Sequence, residues 1–104
     1  MGKGQRVKGH GFERWVANQL KQVFPDAKRH LEFQGTEARG FDLDNTGQYH
    51  IQCKAYRGYA PISKIQEVHP EDGFTPVLVT KGDYLEPMAV LPLSAFIELL
   101  KGNN

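Results

Sequence analysis

The sequence predicts an α/β domain in which a mixed β-sheet is flanked by helices. Two segments near the ends of the chain, residues 12–24 and 94–100, carry the apolar spacing of helices. Between them lie short β-branched or alternating runs, of which 75–80 (TPVLVT) is the most apolar. Pro25, Gly47, Pro70, Gly73 and Gly82 separate these segments at intervals that suit turns.

The elements follow in order. Residues 1–11 (MGKGQRVKGHG) are basic and glycine-rich, and read as a flexible arm leading into the first helix. That helix is expected from Phe12 to about Phe24, where Pro25 stops it. Residues 28–33 form a candidate strand, followed by a polar loop to Arg39. Residues 41–44 and 49–56 alternate about the turn Asn45-Thr46-Gly47, which predicts a β-hairpin. Residues 62–69 suggest a short helix ended by Pro70. A buried strand is expected at 75–80 and another at 88–93. Ser94 stands as an N-cap for the last helix, with Gly102 closing it.

At 104 residues one domain is expected, spanning 1–104. No apolar run is long enough to span a membrane, and no signal-peptide pattern opens the chain. The single cysteine, Cys53, excludes an internal disulfide and agrees with a reducing, cytoplasmic setting. There is no Cys/His spacing for structural zinc. The net charge is +1, but residues 1–39 hold roughly +4 and the remainder roughly −3. A polyanion-binding face on the N-terminal part is one reading of this asymmetry; an unevenly charged solvated surface is the other.

Two local patterns carry candidate chemistry. On the first helix Phe12, Val16, Ala17, Leu20, Val23 and Phe24 share an arc, and Glu13 falls inside it. A carboxylate facing the core needs a partner or a cation; the alternative is a half-buried first-turn Glu favoured by the helix dipole. In the hairpin, matching the apolar faces puts Asp42 on the same side as Gln52 and Lys54. Asp42 then opposes His50, or Gln52 directly if the loop is slightly longer. Asp42, the Gln52 amide oxygen and the Cys53 carbonyl offer oxygen ligands for Mg²⁺. Glu13 adds a direct or water-mediated ligand. Lys54 beside them would orient an attacking water and stabilise charge on a phosphate. A wet polar hairpin face is the plain alternative.

The segments Gly9-His10-Gly11-Phe12-Glu13-Arg14, Gly40-Phe41-Asp42 and Ile51-Gln52-Cys53-Lys54 resemble the three motifs of the PD-(D/E)xK nucleases. They look closest to the archaeal and phage Holliday junction resolvases, and the ending Pro-Leu-Ser-Ala-Phe-Ile-Glu-Leu-Leu is also similar. The resemblance covers most of the chain, on short motifs. It implies a restriction-endonuclease-like fold and phosphodiester hydrolysis dependent on Mg²⁺ or Mn²⁺. It also implies a homodimer with two active sites, acting on branched DNA such as four-way junctions. The location would be cytoplasmic, in the host cytoplasm for a phage-encoded chain. Glu13, Asp42, Gln52 and Lys54 would be the catalytic set, with Glu13, Asp42, Gln52 and Cys53 around the metal.

One position departs from the family pattern: Gln52 stands where the family carries its second acid. The site then has about one negative charge fewer and binds metal more weakly. Asp44 and Glu32 are the candidate acids to replace it. The rivals are a nicking, flap or repair nuclease of the same fold, and a non-catalytic DNA-binding derivative.

Other residues extend the expected DNA surface. Lys3, Arg6 and Lys8 in the arm, with Arg14, Arg29 and Arg39, form a candidate phosphate-gripping patch. Tyr56 and Arg57 follow the Lys54 motif and are placed to stack on or pair with a backbone; Lys64 lies on the next helix. Each has a solvated-surface alternative. Trp15 lies off the apolar arc, so it either contacts DNA or a second subunit, or packs under the arm. His50 alone among the histidines shares a face with the proposed site.

Overall fold

A computed structural model describes residues 2–31 and 39–102, with side chains from residue 9 onward. The order is α1 (Gly2–Leu20), β1 (Lys28–Arg29), β2 (Leu43–Asp44), β3 (Tyr49–Ala55), a 3₁₀ helix (Ile62–Glu67), β4 (Thr75–Lys81), β5 (Met88–Val90) and α2 (Leu93–Gly102). It is a small α/β protein with a mixed three-stranded sheet. β3 pairs parallel with β4, from Tyr49↔Thr75 to Ala55↔Lys81, and β4 pairs antiparallel with β5. A separate two-stranded ladder joins β1 to β2. Among the described residues no helix is long and apolar enough to cross a membrane.

The register divides the side chains of the sheet into two faces. Ile51, Cys53 and Val77 face α1 and form the core with its Phe12, Val16 and Ala17, to which Leu43 adds. The opposite face carries His50, Gln52, Lys54, Leu78 and Thr80. It is covered by the segment after β3, where the Ala60 N–H donates to Thr80 Oγ1 at 2.8 Å. Leu78 and Val68 are buried on the way through this layer. One short strand pair and two covering layers therefore suffice to bury both faces of β3.

Several elements differ from expectation. The backbone is helical from Gly2 rather than from Phe12. No proline interrupts residues 2–20, and each glycine costs only about 1 kcal/mol relative to alanine in a helix. At its other end α1 stops at Leu20; residues 21–24 continue as turns, and Val23 is exposed. The expected strand at 28–33 is a ladder only at Lys28–Arg29, and its positions 32 and 33 lie outside the described residues. The hairpin of 41–44 with 49–56 does not form as a ladder, because β2 pairs with β1 instead. The segment before it still touches β3: Asp42 N–H donates to the Ile51 carbonyl at 2.7 Å. The last helix begins one residue before Ser94, and the Pro92 carbonyl accepts its first bonds from Ala95 and Phe96, so Pro92 takes the capping position.

Candidate functional site

Asp42 is positioned by its own backbone. Its N–H goes to Ile51 of β3, and its carbonyl accepts from His30 N–H at 2.7 Å, so it joins the small ladder to the main sheet. Its carboxylate then takes the place of a neighbouring strand: Oδ2 accepts from the Cys53 N–H at 2.7 Å. The group therefore lies at the free edge of β3, level with Gln52, rather than on either face. Since Cys53 directs its N–H to that edge, strand alternation directs its carbonyl there too.

Around this edge the predicted residues approach from two sides. Glu13 comes from the α1 side. It is only 15% exposed and is held by Arg29, whose Nε donates to Oε1 at 3.0 Å. The first-turn placement of Glu13 is thereby set aside, since α1 starts three turns earlier; the carboxylate is half-buried and has a cationic partner. Lys54 comes from the opposite face. The fields of Glu13 and Lys54 both reach Asp42, the first favouring its proton and the second opposing it. Burial is the dominant influence and pushes its carboxyl up to about 6, against the Cys53 hydrogen bond, which pulls it down.

A residue not singled out from the sequence completes the group. Glu67, at the end of the 3₁₀ helix, accepts from Gln52 Nε2 at 2.9 Å, pairs with Lys64 Nζ at 2.9 Å and lies 3.7 Å from Lys54 Nζ. The Lys64 and Gln52 hydrogen bonds lower its carboxyl pKa. Of the two acids expected to replace the missing charge, Asp44 is engaged by His30 Nδ1 at 2.9 Å and Glu32 lies outside the described residues. The spacing between Gln52 and Glu67 contains no sequence signal. A close approach at Gly40 fixes it: Gly40 has φ +80°, and a Cβ there would run into the carbonyl of Glu67. The backbone bond from His69 N–H to the Arg39 carbonyl, 2.7 Å, holds the same crossing. The chain leading into Asp42 is thereby pinned against the segment that carries Glu67.

Gln52 is buried, and its Oε1 has no hydrogen-bond partner among the described residues. A desolvated carboxylate and a strand-edge carbonyl are hard oxygen donors of the kind a divalent cation takes, and the unpartnered amide oxygen of Gln52, next to Cys53 in the chain, is a third donor of that kind. No group of three His, Cys, Asp or Glu able to hold a metal occurs among the described residues. A cation here would therefore rely on amide and backbone oxygens as well as carboxylates. Cys53 itself faces the core; burial raises its thiol pKa well above the usual range, so only its backbone is available.

The remaining expected residues spread out. Arg14 and Arg57 are exposed, Tyr56 is at the exposed end of β3, and Lys64 is engaged with Glu67. Arg29 is tied to Glu13, and Arg39 donates to the His69 carbonyl at 3.2 Å. The side chains of Lys3, Arg6 and Lys8 lie outside the described residues. His50 does not join the edge group. It is stacked between Phe41 and Phe74, at 4.3 and 4.2 Å between ring centroids, and burial lowers its pKa. Trp15 stacks on Phe12 at 6.1 Å and remains 46% exposed.

No family model, no curated protein and no solved structure matches the chain.

Proposed function

We propose that the chain is a metal-dependent endonuclease of the PD-(D/E)xK type that hydrolyses phosphodiester bonds in branched DNA, with four-way junctions as its leading substrate. The observation that carries this reading is the desolvated Asp42 carboxylate at the edge of β3, held by the Cys53 N–H and within the fields of Glu13 and Lys54. Asp42, Gln52 Oε1 and the Cys53 carbonyl would hold Mg²⁺ or Mn²⁺, with Glu13 facing it from α1. When bound, the cation would supply Lewis-acid polarisation of the phosphate and a more acidic water. Lys54 has the charge and reach to hold that water or a phosphate oxygen. Glu67 keeps the ammonium in place and stands in for the acid that position 52 lacks. Arg29 holds the Glu13 carboxylate against the sheet edge.

A homodimer suits two symmetric cuts in one junction. The exposed apolar residues of α2, Phe96, Ile97 and Leu100 among them, are the surface that supports it. A second reading, a DNA-binding derivative without catalysis, draws on the neutral Gln52 and the absence of a three-acid cluster among the described residues.

The test is cleavage of labelled synthetic junctions, flaps and plain duplex with Mg²⁺, Mn²⁺ or EDTA. The nuclease reading expects metal-dependent cutting of the junction, reduced at least about 100-fold in Asp42→Asn and in Lys54→Ala, with DNA binding retained. Binding without cutting under every metal condition would establish the derivative instead. Preferential cutting of flaps or nicking of duplex would move the substrate within the same chemistry.

A further inference from the structure

We propose that the groove between α1 and β1 is a track for the sugar–phosphate backbone of the DNA leaving the candidate centre, an inference that rests on the nuclease reading above. The groove has a volume of about 340 Å³ and is lined by Arg14 from α1, Lys21 from the turn after it, and Lys28 and Arg29 from β1. Its floor includes Ala17 and Ala27, both buried. Small floor residues leave room for a ligand to approach the backbone closely. Four cations around an apolar floor match a chain of sugars carrying one anion each.

The arrangement of charge points the same way. Arg14 lies on α1 and Lys21 in the turn that follows it, and both line the same groove. The side chains of Arg14, Lys21 and Lys28 make no ion pair or hydrogen bond among the described residues, so the protein leaves their charge uncompensated. Arg29 is the exception, and its partner gives the groove a direction. It holds Glu13, the carboxylate proposed above to face the cation, at 3.0 Å. The groove therefore opens beside the candidate centre, and a strand reacting there would continue along it.

The experiment measures equilibrium binding of a fluorescent duplex and a four-way junction by anisotropy over a salt series. Wild type is compared with Lys21→Gln/Lys28→Gln and with Lys101→Gln, a neutralisation on α2 outside the groove. The double variant is expected to weaken binding to both DNAs alike and to reduce the slope of log K against log salt by about 2. Lys101→Gln is expected to change neither, and melting curves should show all three proteins equally folded. A wild-type slope in the double variant, with wild-type protein still binding and cutting DNA, overturns the track and leaves the nuclease reading standing. Absence of any salt-dependent DNA affinity in wild type overturns both. Poly-glutamate of equal charge is the competitor: if it displaces DNA as well as unlabelled duplex does, and loses that ability in the double variant, the occupant is an acidic peptide and the track is overturned.

Discussion

Asp42 shows how a single carboxyl can be costly for the fold and useful for a site. Burial raises its pKa from 3.8 to about 6, so the folded chain holds that proton more tightly than the unfolded chain does. Its contribution to stability is most favourable below the unfolded value, is lost as pH rises towards 6, and stays lost above it; a shift of this size corresponds to roughly 3 kcal/mol. Asparagine can still accept the Cys53 N–H through its amide oxygen while carrying no charge. Asp42→Asn is therefore expected to melt higher than wild type at pH 7.5, with little difference at pH 4, measured by thermal denaturation across pH. A variant less stable than wild type at both pH values would contradict the desolvation account. Residues of this kind were partly legible in the sequence. Glu13 on an apolar arc is a pattern within one element, whereas Asp42 on the side of Gln52 and Lys54 was argued from a hairpin ladder that does not form, and its carboxylate lies at the strand edge instead. The partner of Glu13, Arg29, and the presence of Glu67 depend on long-range packing, for which periodicity has no signal.

Among the elements, the strongest disagreement concerns the segment 41–44. Alternation and the Asn45-Thr46-Gly47 turn favour a hairpin with β3, but the paired strands found are β1 with β2 and β3 with β4. Alternation fixes which side chains share a face; it does not choose between neighbours, and the apolar β4 supplies a longer partner for β3. The turn survives, with Gly47 at φ +64° and Tyr49 N–H donating to the Thr46 carbonyl at 3.2 Å. The last helix and the buried strand at 75–80 lie where expected, since each has a period strong enough to stand without its surroundings. The most constrained position lies just after the expected polar loop, at Gly40. Gly40→Ala is expected to destabilise the protein by about 2 kcal/mol or more, since alanine at this φ is strained and its methyl would meet the Glu67 carbonyl. Chemical denaturation measures the loss; a change under 0.5 kcal/mol, on the scale of an ordinary exposed site, would mean that the crossing is not close in solution.

For the whole molecule, the mixed sheet between helical layers is the part of the fold that sequence and structure share. Charge asymmetry was legible as a sum, and its arrangement was not: of the N-terminal cations that are described, Arg29 is spent on an internal pair while Arg14, Lys21 and Lys28 line one groove. No residue of α2 is buried, although Leu93, Phe96, Ile97, Leu99 and Leu100 are all large and apolar. Substitutions there should affect association rather than folding. For the proposed dimer, Ile97→Glu/Leu100→Glu is expected to give a monomer in light scattering after size exclusion, with secondary structure unchanged by circular dichroism. Equal masses for wild type and variant would remove α2 from the interface.

The Cys53 amide proton is held by a side chain instead of by a strand, and this gives the molecule a resident spectroscopic reporter. Its ¹⁵N–¹H resonance should follow one titration centred near pH 6, the value of the carboxyl that accepts it. Added Mg²⁺ competing for that carboxyl should move the same cross-peak at constant pH. A resonance that ignores both acid and magnesium would show that the carboxylate does not hold this amide in solution.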